Sequence, residues 1–310
     1  MATDRTDTLA ASARPRTGWL PHGRSEQVNG WLFVAPALVL LGLFMIYPIV
    51  WSLWMSFQVG KGMNFSFGGF ANIVRLTKDP VFIRALVNTL TFLVVQVPIM
   101  IGLALLAAVA LNDPKLRFRG FFRTAIFLPC VTSLIAYSTL FKSMFATDGI
   151  VNKMLMGLWI IQEPIHWLQD PFWAKILIII AITWRWTGYN MVFYLAALQN
   201  VDRSIYEAAR IDGASGWHRF WYITVPMLKP VILFTTIIST IGTLQLFDEV
   251  NNITQGGPSD STLTLSLYIY NLTFKFMPSF GYSATVSWVI VLLVAVLSFA
   301  QFVIARDRSK

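Results

Sequence analysis

Tyr206-Glu207-Ala208-Ala209-Arg210-Ile211-Asp212-Gly213, continuing through Ser215 to Val225-Pro226, is a polar island between long apolar runs. Its spacing predicts two short helices with a break between them. Ser204-x-x-Glu207 reads as a capping box, in which a hydroxyl and a carboxylate satisfy the N–H groups that a helix start leaves unpaired. Gly213 suits the left-handed position that closes a helix. Ser215 then caps a second helix, along which Trp217, Phe220 and Trp221 recur at three- and four-residue spacing on one face. Pro226 disfavours helical geometry in the residue before it, so this second helix is expected to stop near Val225. The first arm displays Ala208 and Ala209, whose small side chains let another backbone approach closely.

Outward from the island the chain reads as membrane. Of its 310 residues 56% are hydrophobic and only 13% charged, whereas soluble domains carry about 25% charged residues. Apolar runs at 31–57, 85–112, 124–141, 172–197, 230–247 and 276–305 each read as a helix able to cross the roughly 30 Å hydrocarbon layer. Pro48 is expected to kink or end the first helix, and Pro98 to be tolerated inside the second. The net charge of +9 reflects basic residues placed between apolar runs, so topology explains it better than nucleic-acid binding. Lys115, Arg117, Arg119 and Arg123 share one short loop, and most other Lys and Arg fall on the same side of a six-crossing layout. Basic loops resist translocation, which puts that side, the island and both termini in the cytoplasm. Lys61, Arg75, Lys78 and Arg84 in the first outer loop run against the trend. Residues 1–28 lack the apolar core and cleavage site of a signal peptide and read as a cytoplasmic tail. A six-helix transmembrane domain over 29–305, containing the loop 201–226, and a second tail at 306–310 complete the expected layout.

Several chemistries find no support. Cys130 stands alone, and His22, His166 and His218 are scattered without metal-ligand spacing. No phosphate loop of the form GxxxxGK[ST] occurs, so ATP hydrolysis is not encoded in this sequence. No nucleophile, base and metal constellation points to an enzyme.

Glu207-Ala208-Ala209, Gly213, Ile223 and Pro226 stand at the spacings of the cytoplasmic loop of permease subunits in binding-protein-dependent ABC importers, which this sequence resembles. The pattern has Leu where this chain has Val225. Ala197-Leu198-Gln199 and Gln255-Gly256-Gly257-Pro258 resemble the branch that imports sugars and glycerol phosphates, the maltose and lactose permease type. The resemblance implies an all-α type I importer permease in the bacterial inner membrane. It also implies partners: a second permease, two ATPase subunits that bind ATP and Mg, and an extracytoplasmic solute-binding protein. On that scheme Glu207, Ala208, Ala209, Asp212 and Gly213 belong to the coupling helix on which the ATPase docks.

The solute path is expected on the fourth and fifth runs. Arg185 lies mid-span, where a guanidinium costs at least about 2.5 kcal/mol and so should face a cavity or a partner. Two readings stand: a cavity group, or a tie to Asp248 and Glu249. Trp184, Trp186, Tyr189 and Asn190 are of the types that bind sugar faces and hydroxyls. Ser239, Thr243 and Gln245 add polar groups to an apolar run, with Ser239 and Thr243 on one helix face. In the related sugar permeases the pocket lies in these two helices, and the resemblance carries that role to Tyr189, Ser239 and Thr243. The rival reading is an ion-coupled secondary transporter, which would call for membrane-buried carboxylates or cation sites, while Arg185 is the charge well inside a span.

Overall fold

The structure is a computed structural model and describes residues 24–62 and 64–307. Residues 1–23 and 308–310, which hold most of the two expected tails, lie outside the described residues. The chain divides into an N-terminal unit that ends at Trp51 and a larger unit, Ser52–Lys310.

Here α1 (Arg24–Leu41) passes through a widened turn at Gly42–Ile46 into α2 (Tyr47–Ser56), whose last residues belong to the larger unit. Pro48 therefore neither ends the helix nor stands alone. The turn before it is of the π type, in which Tyr47 N–H bonds to Gly42 O, five residues back. A proline lacks a donor and crowds the carbonyl four residues behind it, and an extra residue in the preceding turn relieves both demands. The same arrangement recurs at Phe220–Thr224 ahead of Pro226, whereas a third π-turn, Asn271–Lys275, ends its helix at the extended Phe276.

After α2 comes a small hairpin, β1 (Gln58–Lys61) against β2 (Asn64–Phe67), which sequence patterning reads only as a connection. Asn72 on α3 (Ala71–Lys78) fixes it by donating from Nδ2 to Ser56 O at 2.9 Å and Gln58 O at 2.8 Å. Next comes α4 (Pro80–Asn112), whose N-cap is Asp79. The Asp79 carboxylate accepts backbone N–H groups from Val81 and Phe82 and the hydroxyls of Tyr268 and Tyr282. Burial pushes that carboxyl up, yet the tyrosine and backbone hydrogen bonds together hold it below the usual carboxylate range.

The third crossing is not the straight span expected over 124–141. It is two helices, α5 (Arg119–Val131) and α6 (Leu134–Met144), bent by 102° at a short break. Thr132 at the break is extended, and its hydroxyl donates to Pro129 O at 2.7 Å. The short α7 (Ile150–Gly157) is pinned by Asn152, whose side chain binds the backbone of Thr147 and Ile165 and the Trp167 indole. From its Asp170 cap, α8 (Pro171–Gln199) then crosses the molecule.

The fifth crossing also differs from expectation. The helix capped by Ser215 does not stop at Val225. From α10 (Gly216–Arg219) it continues through the π-turn into α11 (Val225–Leu244), a single apolar helix of 29 residues. Two short helices, α12 (Asp248–Ile253) and α13 (Leu265–Tyr270), precede the last span, α14 (Phe280–Asp307). Among the described residues, five helices are long and apolar enough to cross a membrane, or six when the bent pair counts as one span.

The core of the larger unit is the seam between α4 and α8, where Phe92, Leu177, Ile178 and Ala181 are fully enclosed. Beside it α5 approaches α8 so closely that a Cβ on Gly188 would overlap the Ile126 carbonyl, which leaves only glycine at that position. Large apolar side chains such as Phe121, Ile135, Leu292 and Phe299 point outward, as lipid-facing positions do.

Candidate functional site

Two sites take shape, an exposed elbow and a cavity between helices. The elbow begins with α9 (Arg203–Ile211). Its N-cap is Asp202, whose carboxylate accepts Ser204 N–H at 2.9 Å. The expected capping box is thus displaced by two residues: Ser204 lies inside the helix and Glu207 projects outward. A carboxylate two positions upstream competes well for the same orphan donors, and it also complements the positive end of the helix.

The other end matches the reading. Gly213 has φ +78°, Gly213 N–H bonds Arg210 O, and Ala214 N–H bonds Ala209 O. That double bond is the Schellman closure, which satisfies the last helical carbonyls. Ser215 caps α10 by accepting His218 N–H at 3.2 Å. Glu207, Ala208, Asp212 and Gly213 are exposed and Ala209 is half-buried, so the small-residue arm is open to a partner. Ile211 is 87% exposed at its tip. Behind it, the Tyr206 hydroxyl meets the buried Thr224 hydroxyl at 3.1 Å, tying α9 to the π-turn at the base of the fifth crossing.

The cavity measures about 360 Å³ and is walled by α4, α6, α8, α11 and α12. Arg185, Trp186, Tyr189 and Asn190 line it from α8, and Ser239, Thr243 and Gln245 from α11 and its end. Trp184 does not line it. One residue off that face, it stacks on Tyr137 with ring centroids 5.8 Å apart and is otherwise 45% exposed.

Polar pairs join the walls. The Thr243 hydroxyl donates to Gln96 Oε1 at 3.2 Å, and the Ser239 hydroxyl reaches Asn190 Oδ1 at 3.5 Å. Asn190 Nδ2 donates to Trp186 O at 3.1 Å, which leaves its side chain held in place. Trp186 Nε1 donates to Glu249 Oε1 at 3.3 Å. The expected tie from Arg185 to Asp248 or Glu249 is not made by hydrogen bonds: Arg185 Nε and Nη1 are buried without a partner. Its guanidinium sits 5.1 Å from the Tyr137 ring centre and 5.6 Å from that of Trp186. Such a chamber, with aromatic faces beside fixed amides and hydroxyls, can hold a polar solute of modest size.

Residues 32–310 match the family described as binding-protein-dependent transport system inner membrane component. The chain belongs to that family. This permease is 70% identical over 287 residues to the lactose transport system permease protein LacF of Rhizobium radiobacter, covering 92% of this chain and 96% of the relative. It is 36% identical over 279 residues to the arabinooligosaccharides transport system permease protein AraP of Halalkalibacterium halodurans, covering 89% and 87%. Its fold matches a chain in a crystal structure of a bacterial ABC transporter involved in the import of the acidic polysaccharide alginate. That match has a TM-score of 0.80 at 24% identity and covers 92% of this permease and 99% of that chain.

The permease is accordingly a multi-pass inner-membrane component of a binding-protein-dependent ABC importer, a transport subunit without catalytic chemistry of its own. Membership of that family sets aside the ion-coupled alternative. Sequence reasoning missed Gln96 and Met100 on α4, and Leu134 on α6, as cavity walls. The available signal was Gln96 itself, an amide two residues before Pro98 in a mainly apolar run.

Proposed function

We propose that this permease forms half of the path by which a neutral disaccharide, lactose, crosses the inner membrane, and that its elbow couples that path to ATP hydrolysis in partner subunits. The solute assignment takes support from the 70% identity to a lactose transport system permease protein. The observation that carries the path is the gathering of Arg185, Trp186, Tyr189, Asn190, Ser239, Thr243 and Gln245 around one cavity between the fourth and fifth crossings. Aromatic faces suit the apolar faces of pyranose rings, and paired amides and hydroxyls suit their hydroxyl groups.

In this reading the partners are a second permease, two ATPase subunits on the cytoplasmic face and a solute-binding protein on the other. Both termini and the elbow are cytoplasmic. Ala208 lets the ATPase surface close on α9, and closure moves the elbow. The Tyr206 to Thr224 hydrogen bond passes that movement to the foot of α11, whose Ser239 and Thr243 line the cavity. A ligand shifts such a two-state equilibrium only by preferring one state, so solute delivery and ATP binding must favour different openings.

The test is reconstitution of the permease with its partner permease, ATPase subunits and binding protein in proteoliposomes. Uptake of radiolabelled lactose should require both ATP and the binding protein. Uptake of a different oligosaccharide with none of lactose would overturn the solute assignment. Separately, a cysteine at the exposed tip, Ile211→Cys, should react with an impermeant thiol reagent only from the cytoplasmic side. Reaction from the outer side alone would overturn the elbow's role.

A further inference from the structure

The cavity contains an acid and a base that do not satisfy each other. Arg185 Nε and Nη1 are buried and unpartnered. Glu249 lines the same cavity, is 5% exposed, and receives a hydrogen bond from Trp186 Nε1 at 3.3 Å. Buried donors without acceptors are costly, and native structures hold few of them. A structural tie would close by direct contact between guanidinium and carboxylate. Here no hydrogen bond joins the two: the guanidinium lies beside the Tyr137 and Trp186 rings, and Arg185 and Glu249 both line one chamber.

We propose that Arg185 and Glu249 are a specificity-determining pair that grips one hydroxyl group of a neutral sugar. The hydroxyl oxygen accepts from the Arg185 guanidinium and the hydroxyl proton is donated to the Glu249 carboxylate. This rests on the cavity being the solute path and adds the class of group recognised there. A group that only accepts, such as a carboxylate or phosphate, satisfies Arg185 but meets Glu249 and Asp248 as like charges. A group that only donates, such as an ammonium, fails in the opposite sense. Only a group that both donates and accepts satisfies the pair, and a hydroxyl does so without net charge. Between transport cycles a water can hold the same position, to be displaced by the sugar. Trp186 places the carboxylate through its indole N–H and lies under the guanidinium, and is thus a positioning residue.

The experiment uses the complete importer, with equilibrium binding of lactose and of lactobionate, its carboxylate analogue, to the purified complex without binding protein. Arg185→Gln and Glu249→Gln should each weaken lactose binding by about tenfold or more while the complex still assembles. In Glu249→Gln the new amide oxygen can keep the Trp186 hydrogen bond, but the amide N–H₂ stands where the hydroxyl needs an acceptor. That variant should therefore also raise the ratio of lactobionate to lactose binding. Unchanged lactose affinity in either variant overturns the proposal. So does failure of both variants to assemble, which assigns the pair to structure. A wild-type complex that neither binds nor takes up lactose sinks the solute assignment instead, and the pair is then judged by the same two variants on the neutral sugar the wild type does bind.

Discussion

The elbow and the cavity are both polar interruptions of an apolar chain, and they are built in opposite ways. In the elbow every cap is local: Asp202 serves Ser204, Ala214 closes on Ala209, and Ser215 serves His218. In the cavity the Gln96 to Thr243 bond joins residues 147 positions apart, and Trp186 reaches 63 positions to Glu249. A local device can be damaged without disturbing the rest of the fold. A chamber made by five helices cannot lose a wall without losing its contents.

Ala208→Trp puts this contrast to its hardest test. Lactose uptake is expected to fall to background in proteoliposomes, while equilibrium lactose binding by the purified complex stays within about twofold of wild type. Loss of binding as well would mean that the elbow and the cavity are not separable. Gly188→Val attacks the other region at its packing. The new side chain meets the Ile126 carbonyl and the Phe127 backbone, and overpacking of this kind costs roughly 1–3 kcal/mol. A lowered thermal midpoint in detergent should come together with lost solute binding; normal binding would show that α5 can retreat without cost.

Tyr206→Phe sharpens the comparison at the hydrogen bond that ties α9 to the foot of the fifth crossing. Removing a neutral hydrogen bond worth about 0.5–1.5 kcal/mol should lower the lactose moved per ATP hydrolysed by about two- to tenfold, with binding unchanged. An unaltered ratio would remove this contact from the transmission path. The smallest effect is expected at Asp202. The Ser204 N–H first, and its hydroxyl second, hold this carboxyl below the usual range. A depressed folded value means that its stabilisation is fully present above the unfolded pKa of about 3.9 and is lost as pH falls through the folded value. Amides of α9 should exchange slightly faster in Asp202→Asn than in wild type at pH 7, with the gap closing toward pH 3. A gap that persists in acid would contradict a charge-based cap.

What could be read in advance follows the same division. Gly213 and Ser215 behave as their local chemistry requires, because a left-handed closure and a serine cap depend on a few neighbouring atoms. The capping box failed for a local reason too: Asp202 offered a better acceptor two residues upstream of Ser204. At Pro48 the sequence suggests a kink or an end and at Pro226 a stop, yet each follows a π-turn after which the helix runs on. A wide turn leaves no mark in hydropathy. The 102° bend at Thr132 and Ser133 was hidden for a similar reason, since both arms are apolar and merge into one hydrophobic run.

Composition, the spacing of apolar runs and the Glu207-Ala208-Ala209 pattern were enough to establish a multi-pass permease and to mark α8 and α11 as the polar-bearing helices. These are properties of segments, and a helix displays its own periodicity wherever it lies. Which way each side chain faces was settled only by packing. Rotation of α8 sends Trp184 to Tyr137 and Arg185 to the cavity, although the two are adjacent, and the approach of α4 brings in Gln96. The unsatisfied Arg185 and the nearby Glu249 exist as a pair only because α8 and α12 meet at that chamber, since the relative position of two helices depends on contacts among all of their neighbours.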